Sequence, residues 1–246
     1  MSVEEVITTK YYAFKLKHGL TKEAFVDLPF LLENPKGMAP TLDQTKSSIA
    51  KLANLQPAFY DCCPKSCFCY AANPSLDKCP TCSHPQWKHG GQVPFKRFTY
   101  VPLIPQLSTL FKNESITQNM RYHAKYFTNE GDHVPGMISD IFDSANYLHL
   151  CEQYITSKGI SMGQKHFSGR HDLALGLLMD GFSPFRHCKY SAWPLLVYNY
   201  NLPPSIRFHH ENVICVSIIP GPHSVKSLNS FIEPLICELE HLEQGV

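Results

Sequence analysis

The chain has 246 residues, 43% of them hydrophobic, which suits one large domain or two small ones with a real core. Its formal net charge of +1 argues for no particular partner. No apolar run approaches the ~20 residues of a membrane span, so a membrane partner is not expected. The start, Met1-Ser2-Val3-Glu4-Glu5, is acidic and lacks the basic-then-apolar pattern of a signal peptide. An intracellular address with reduced thiols is therefore expected.

Residues 1–55 read as helical. Tyr11, Tyr12, Phe14 and Leu16 lead into Gly19, Thr21 has the position of an N-cap, and a further helix is expected over Gln44–Leu55, after Pro40. Residues 56–100 are rich in Cys, Pro and aromatics. Residues 51–126 carry nine Lys or Arg against three acids, a local excess that suits a polyanion. Residues 101–165 read as a connecting region. Pro102 and Pro105 precede a short helix expected at Gln106–Lys112, residues 113–140 lack periodicity and read as loop, and Asp140–Cys151 reads as a helix or tight turn.

From Leu173 the pattern changes. Three strand-like apolar runs follow, Leu173–Met179, Trp193–Tyr200 and Val213–Ile219, separated by breakers. A run with helical spacing then takes in Leu228, Phe231, Ile232, Leu235, Leu239 and Leu242, with Pro234 inside it expected to kink it. The first strand ends on Asp180, followed by Gly181 and, at position 184, proline. A carboxylate at a strand end is a rigid mount for a metal ligand or catalytic acid, although Asp-Gly also opens ordinary turns. Three strands and a helix over residues 166–246, with the acid on the first strand, form the opening half of a ribonuclease H-like fold. The fold class expected for the whole chain is α+β.

Six of the ten cysteines lie between Cys62 and Cys82. Cys79-Pro80-Thr81-Cys82 is a two-residue-spaced knuckle, and Cys63-Pro64-Lys65-Ser66-Cys67 supplies a second pair. Four thiolates in two close pairs satisfy tetrahedral Zn²⁺, which would hold together a ribbon with little core of its own. Cys62, Cys69, His84 and His89 remain alternative ligands. A closed four-thiolate site is structural, and Lys65 and Lys88 beside it are placed to meet phosphates, as are Arg186 and Lys189 just past the Asp180 turn. His166, His171 and His187 read as ordinary loop histidines, and Tyr198, Tyr200 and Trp193 as packing residues.

The blocks Tyr60-Asp61, CPKSC, CPTC, Val101–Pro105 (VPLIP), Met120-Arg121-Tyr122, LALGLLMDGFSPF, Trp193-Pro194-Leu195, YNYNLPP, IIPGP and FIEPLICELEHLEQGV run in this order from about residue 56 to Val246. In these blocks the chain resembles the transposases of CACTA-type (En/Spm-like) DNA transposons. Residues 1–55 match only loosely.

The resemblance implies a cut-and-paste DNA transposase with a ribonuclease H-like catalytic domain. Asp180 would be the first of three acids that hold Mg²⁺ or Mn²⁺, DNA the substrate, and the nucleus the address. The family's second and third acids lie beyond the helix that ends here, so a chain truncated before them, and inactive alone, is expected. Without the strand that pairs with Leu173–Met179, that strand would be an apolar edge needing a protein partner. Two other readings stand beside this one. One is a zinc-stabilised DNA- or protein-binding module derived from a transposon. The other is a small nuclease pairing Asp180 with Glu233, Glu238 or Glu240.

Overall fold

The computed structural model describes residues 2–31, 41–53, 55–88, 91, 93–128, 130–157, 159–184, 190–221 and 225–245. The chain divides into two compact units, residues 1–56 and 57–246. The first holds three helices, α1 (Val3–Lys17), α2 (Lys22–Leu31) and α3 (Leu42–Ala53). Their starts are set by local side-chain chemistry. Ser2 and Glu5 form a reciprocal capping box on α1. The Thr21 hydroxyl accepts from the Ala24 N–H. Thr41 and Gln44 exchange the same pair of bonds at α3. The third helix therefore begins two residues earlier than the apolar spacing suggests.

The second unit is built on a five-stranded antiparallel sheet in the order β1-β2-β7-β6-β5. These strands are β1 (Ala58–Cys62), β2 (Lys96–Tyr100), β5 (Leu175–Met179), β6 (Ala192–Asn199) and β7 (Ile214–Pro220). A separate hairpin joins β3 (Tyr154–Ser157) to β4 (Ile160–Lys165). The remaining helices are α4 (Leu103–Phe111), α5 (Glu114–Asn119), α6 (Tyr122–Lys125), α7 (Ala145–Glu152), α8 (Pro204–Arg207) and α9 (Leu228–Glu243). Two short helical turns occupy residues 113–125, inside the stretch expected to be loop. The Asn113 side chain accepts from the Ile116 N–H and so starts the first of them.

The three strands and the helix expected from residue 173 onward form in that order. β6 buries Ala192, Leu195, Val197 and Asn199, and a register shift between Leu195 and Leu196 switches the buried parity of β7 from Ile214 and Val216 to Ser217 and Ile219. The shift places Val216 as the extra residue on β7 and lies beside Pro194, which has no N–H to donate in this central strand. α9 continues through Pro234 and lays Phe231 and Leu235 on the sheet, with Phe231 edge-on to Phe98 at 5.3 Å. Phe98, Leu103, Leu107, Leu195, Val216 and Ile219 complete the centre of this core.

β1 and β2, on either side of the Cys-rich stretch, join the same sheet. Sequence pattern gives no sign of this, because both strands are short and one carries two basic residues. The result is an α+β unit with an antiparallel sheet, and the Cys-rich stretch is an excursion between two of its strands.

Candidate metal centre and the Asp180 end of the sheet

The Cys-rich excursion consists of two turns with matching hydrogen bonds. In the first, the Cys63 N–H donates to the Phe68 carbonyl and the Ser66 N–H to the Cys63 carbonyl. In the second, the Cys79 N–H donates to the His84 carbonyl and the Ser83 N–H to the Cys79 carbonyl. The bridges Cys62↔Cys69 and Lys78↔Pro85 close the base of each turn. Ser66 and Ser83 both take up a φ of 58°, a left-handed conformation costing a non-glycine residue roughly 1–2 kcal/mol. This strain curls each turn so that its cysteines face one point.

The sulfurs of Cys63, Cys67, Cys79 and Cys82 all lie within 4.8 Å of one another, and those of Cys63 and Cys82 are 3.5 Å apart. Tetrahedral zinc with bonds of about 2.3 Å would place its sulfurs about 3.8 Å apart, so the four fit such an ion. Burial pushes the Cys63 thiol up to about 12. Burial also acts to raise Cys82, but hydrogen bonds from the His84 N–H and from the Cys63, Cys79 and Cys67 thiols outweigh it and leave Cys82 below the ordinary thiol range. The donors that hold Cys82 down include the other three thiols of the quartet, which a cation would replace in that role.

The alternative ligands are occupied elsewhere. Cys62 and Cys69 pack into the sheet core with Phe98 and Tyr100. Burial pushes Cys62 up to about 12 and Cys69 up to about 11, so both are neutral hydrophobes. His84 makes a 2.8 Å contact from Nδ1 to the Pro85 carbonyl and packs its ring against Phe95. His89, Arg186, His187 and Lys189 lie outside the described residues. Lys65 and Lys88 are solvent-exposed.

The metal turns are bonded to the far end of the sheet. Lys96 donates from Nζ to Ser66 Oγ at 2.8 Å, to the Pro220 carbonyl at 2.7 Å and to the Gly221 carbonyl. Ser66 Oγ also donates to the Pro220 and Gly221 carbonyls. The Ser227 N–H reaches the Cys67 carbonyl at 2.9 Å, and Ser230 Oγ accepts from the Cys69 N–H at 2.9 Å. Thus Gly221 and Ser227, on either side of the connection from β7 to α9, are both bonded to the first cysteine turn. From there the Gly221 N–H donates to the Ser191 carbonyl at 2.6 Å, and Ala192 exchanges two bonds with Phe182, two residues past Asp180. A Cβ on Gly221 would come within 2.4 Å of the Ser191 carbonyl oxygen, so glycine is required for this approach.

Asp180 follows the last residue of β5 and is exposed, its Oδ1 accepting from the Gly181 N–H at 2.7 Å. Gly181 leaves room for the Trp193 indole, which a Cβ would meet at 2.6 Å. No other carboxylate is grouped with Asp180 in a three-ligand cluster among the described residues. Two hard cations about 3.5–4 Å apart need several carboxylates. The described residues do not assemble such a site around Asp180.

Of the three glutamates expected as alternative partners of Asp180 (Glu233, Glu238 and Glu240), Glu238 is engaged elsewhere. Glu238 accepts from the Leu103 N–H at 2.6 Å, the Ile104 N–H at 3.2 Å and the Tyr100 hydroxyl. It caps α4, whose third residue, Pro105, has no N–H to satisfy. Tyr100 stands on β2, three strand spacings from β5, or about 14 Å. α4 accordingly starts at Leu103, three residues before the position suggested by the prolines.

Other residues with structural roles were not anticipated. Arg207, its side chain 4% exposed, forms a two-pronged pair with Asp140 at 2.6 and 3.0 Å and donates to the Leu202 and Tyr200 carbonyls. Asn201 accepts from the Ala174 N–H and donates to the Asp172 carbonyl, both at 2.7 Å, and so fixes the start of β5. YNYNLPP is therefore a clamp as well as a turn.

No curated protein and no solved structure matches the chain. No helix among the described residues is long and apolar enough to cross a membrane. Residues 156–246, which include β5, β6, β7, α9 and Asp180, match the model of the tnp2 transposase family, and the match supports a transposase family for this part of the chain.

Proposed function

We propose that this chain is the DNA-handling part of a CACTA-type, cut-and-paste transposase, with a ribonuclease H-like half-domain over residues 166–246 and a structural zinc ion on Cys63, Cys67, Cys79 and Cys82. The observation that carries the reading is the transposase-family match over a segment in which β5 leads directly into the exposed Asp180. The order of β5, β6, β7 and α9 supports the fold assignment. Asp180 takes the role of first acid in a Mg²⁺ or Mn²⁺ site, and the carboxylates that complete it are not beside it among the described residues. Lys65 and Lys88, with Arg186 and Lys189, contact DNA phosphate. A nuclear address follows from the DNA substrate, and a protein or further strand pairs with the free edge of β5.

The polypeptide 1–246 then binds duplex DNA without cutting it. Fluorescence anisotropy on a labelled duplex tests this, with affinity expected to fall linearly on a log–log plot against salt as phosphate-bound counterions are released. Absence of any salt-sensitive binding overturns the reading. Strand cleavage in Mg²⁺ that survives Asp180→Asn would remove Asp180 from its role.

The close sulfur quartet also favours a second reading, a zinc-stabilised binding module without catalysis. It differs in predicting that Asp180→Asn leaves Mn²⁺ binding to the protein unchanged, where the first reading predicts weaker binding.

A further inference from the structure

A cavity of about 470 Å³ opens between α6, α7 and the turn after β4. Its volume is that of a small-ligand site. Four aromatic rings line it. Tyr147 and Phe167 stack on each other at 5.0 Å and 24°, His123 packs edge-on to both, and Phe127 is 48% exposed at the mouth. Arg121, Lys125 and Arg170 also line the cavity, and all three are exposed. Two carboxylates lie near them: Glu130 pairs with Lys125 at 2.9 Å, and Asp172 accepts from the Gly169 N–H at 2.8 Å. Among the described residues Arg121 and Arg170 have no ion pair.

Two further observations point to a ligand. His123 is 7% exposed, its Nε2 lies 2.5 Å from the Tyr147 hydroxyl, and its Nδ1 is buried with no hydrogen-bond partner. A buried polar atom left in this state costs about 1–3 kcal/mol and calls for an explanation. Phe167 is held at a φ of 57°, a strained conformation for an aromatic residue, and such strain gathers at binding sites.

We infer that this cavity receives one unpaired nucleotide of a DNA strand, its base against the Phe127, Tyr147 and Phe167 wall and its phosphate on Arg121, Lys125 and Arg170. Aromatic walls take any base by stacking, and an arginine pair suits a phosphate. A paired base is unavailable to such a wall, so the site distinguishes strand ends, gaps and unpaired tails from continuous duplex. The inference rests on nucleic acid being what this chain handles. Free nucleoside monophosphate offers the same chemistry, and the test separates the two sources.

The experiment compares three probes by fluorescence anisotropy: a blunt duplex, the same duplex with a three-nucleotide unpaired tail, and a short single strand, with deoxyadenosine monophosphate as competitor. The tailed duplex is expected to bind about ten-fold or more tightly than the blunt one. Phe127→Ala and Arg170→Glu, both at exposed positions, are expected to remove that preference while leaving blunt-duplex binding and the melting temperature close to wild type. Equal binding of tailed and blunt duplexes, or a preference that survives both substitutions, overturns the site. Tailed duplex that stays bound at micromolar nucleotide supports the strand as the ligand, and complete displacement at micromolar nucleotide overturns that choice in favour of the free form. Failure of blunt duplex to bind at all counts against the proposed DNA function, whereas the single strand and the nucleotide still judge the cavity.

Discussion

Arg207 and Asp140 are both almost fully buried, so removing one partner strands the other's charge. Arg207→Ala is expected to destabilise the second unit by roughly 3–5 kcal/mol, measured by denaturant unfolding. A loss under about 1 kcal/mol would show that the pair is solvated in solution. Asp143 ties stability to pH. Burial acts to raise its carboxyl, but hydrogen bonds from the Tyr126 hydroxyl, the Ser139 N–H, His133 and the Asp140 N–H hold it well below the ordinary carboxylate range. A depressed folded-state value contributes stability above the unfolded value of about 3.9, and that contribution is lost as pH falls through the lower folded value. The melting temperature should therefore drop below about pH 4, and Asp143→Asn should flatten that part of the profile; an unchanged acid limb would sink the assignment. Neither residue was legible in the sequence. Arg207 follows an apolar stretch and looks like a surface charge, and its partner is 67 positions away. The role of Glu238 is hidden for the same reason, since helix glutamates ordinarily face water and the N–H groups it satisfies lie 134 and 135 positions earlier.

At the scale of elements, apolar runs bounded by breakers marked β5, β6 and β7, and helical spacing marked α9, to within two residues. The same signal failed for β1 and β2, which are held by partners rather than by pattern. The cysteine spacing was informative for a different reason, since a two-residue gap between thiols already encodes a turn. It could not separate Cys63 and Cys67, which join the sulfur quartet, from Cys62 and Cys69, which the fold places in the sheet core. β5 is the last strand of its sheet among the described residues, with Leu177 49% and Leu178 42% exposed. An apolar edge of this kind recruits other strands. The chain is expected to self-associate with rising concentration in sedimentation experiments and Leu177→Lys to suppress it; a wild-type chain that stays monomeric at high concentration would contradict this. Leu235→Ala should cost about 2–5 kcal/mol, as for other large-to-small changes in a packed core, and a loss well under 1 kcal/mol in denaturant unfolding would place α9 off the sheet.

In the molecule as a whole, the cysteine turns serve the sheet end that bears Asp180. The hydrogen bonds run from Ser66 and Lys96 to Pro220 and Gly221, from Gly221 to Ser191, and from Ala192 to Phe182. A metal ion that fixes the turns would fix this chain of contacts, and a transposase needs its acids held rigidly. The aromatic cluster around Tyr126, Phe142 and Tyr147 is a separate core and should not sense the metal. Native-state hydrogen exchange on zinc-loaded and chelator-stripped protein tests this most directly. Stripping the metal should lower protection at the amides of Ser66, Gly221, Ala192 and Phe182 and leave Tyr126 and Tyr147 unchanged. Equal protection at all six amides in both forms, or a protein that binds no zinc, would contradict the account.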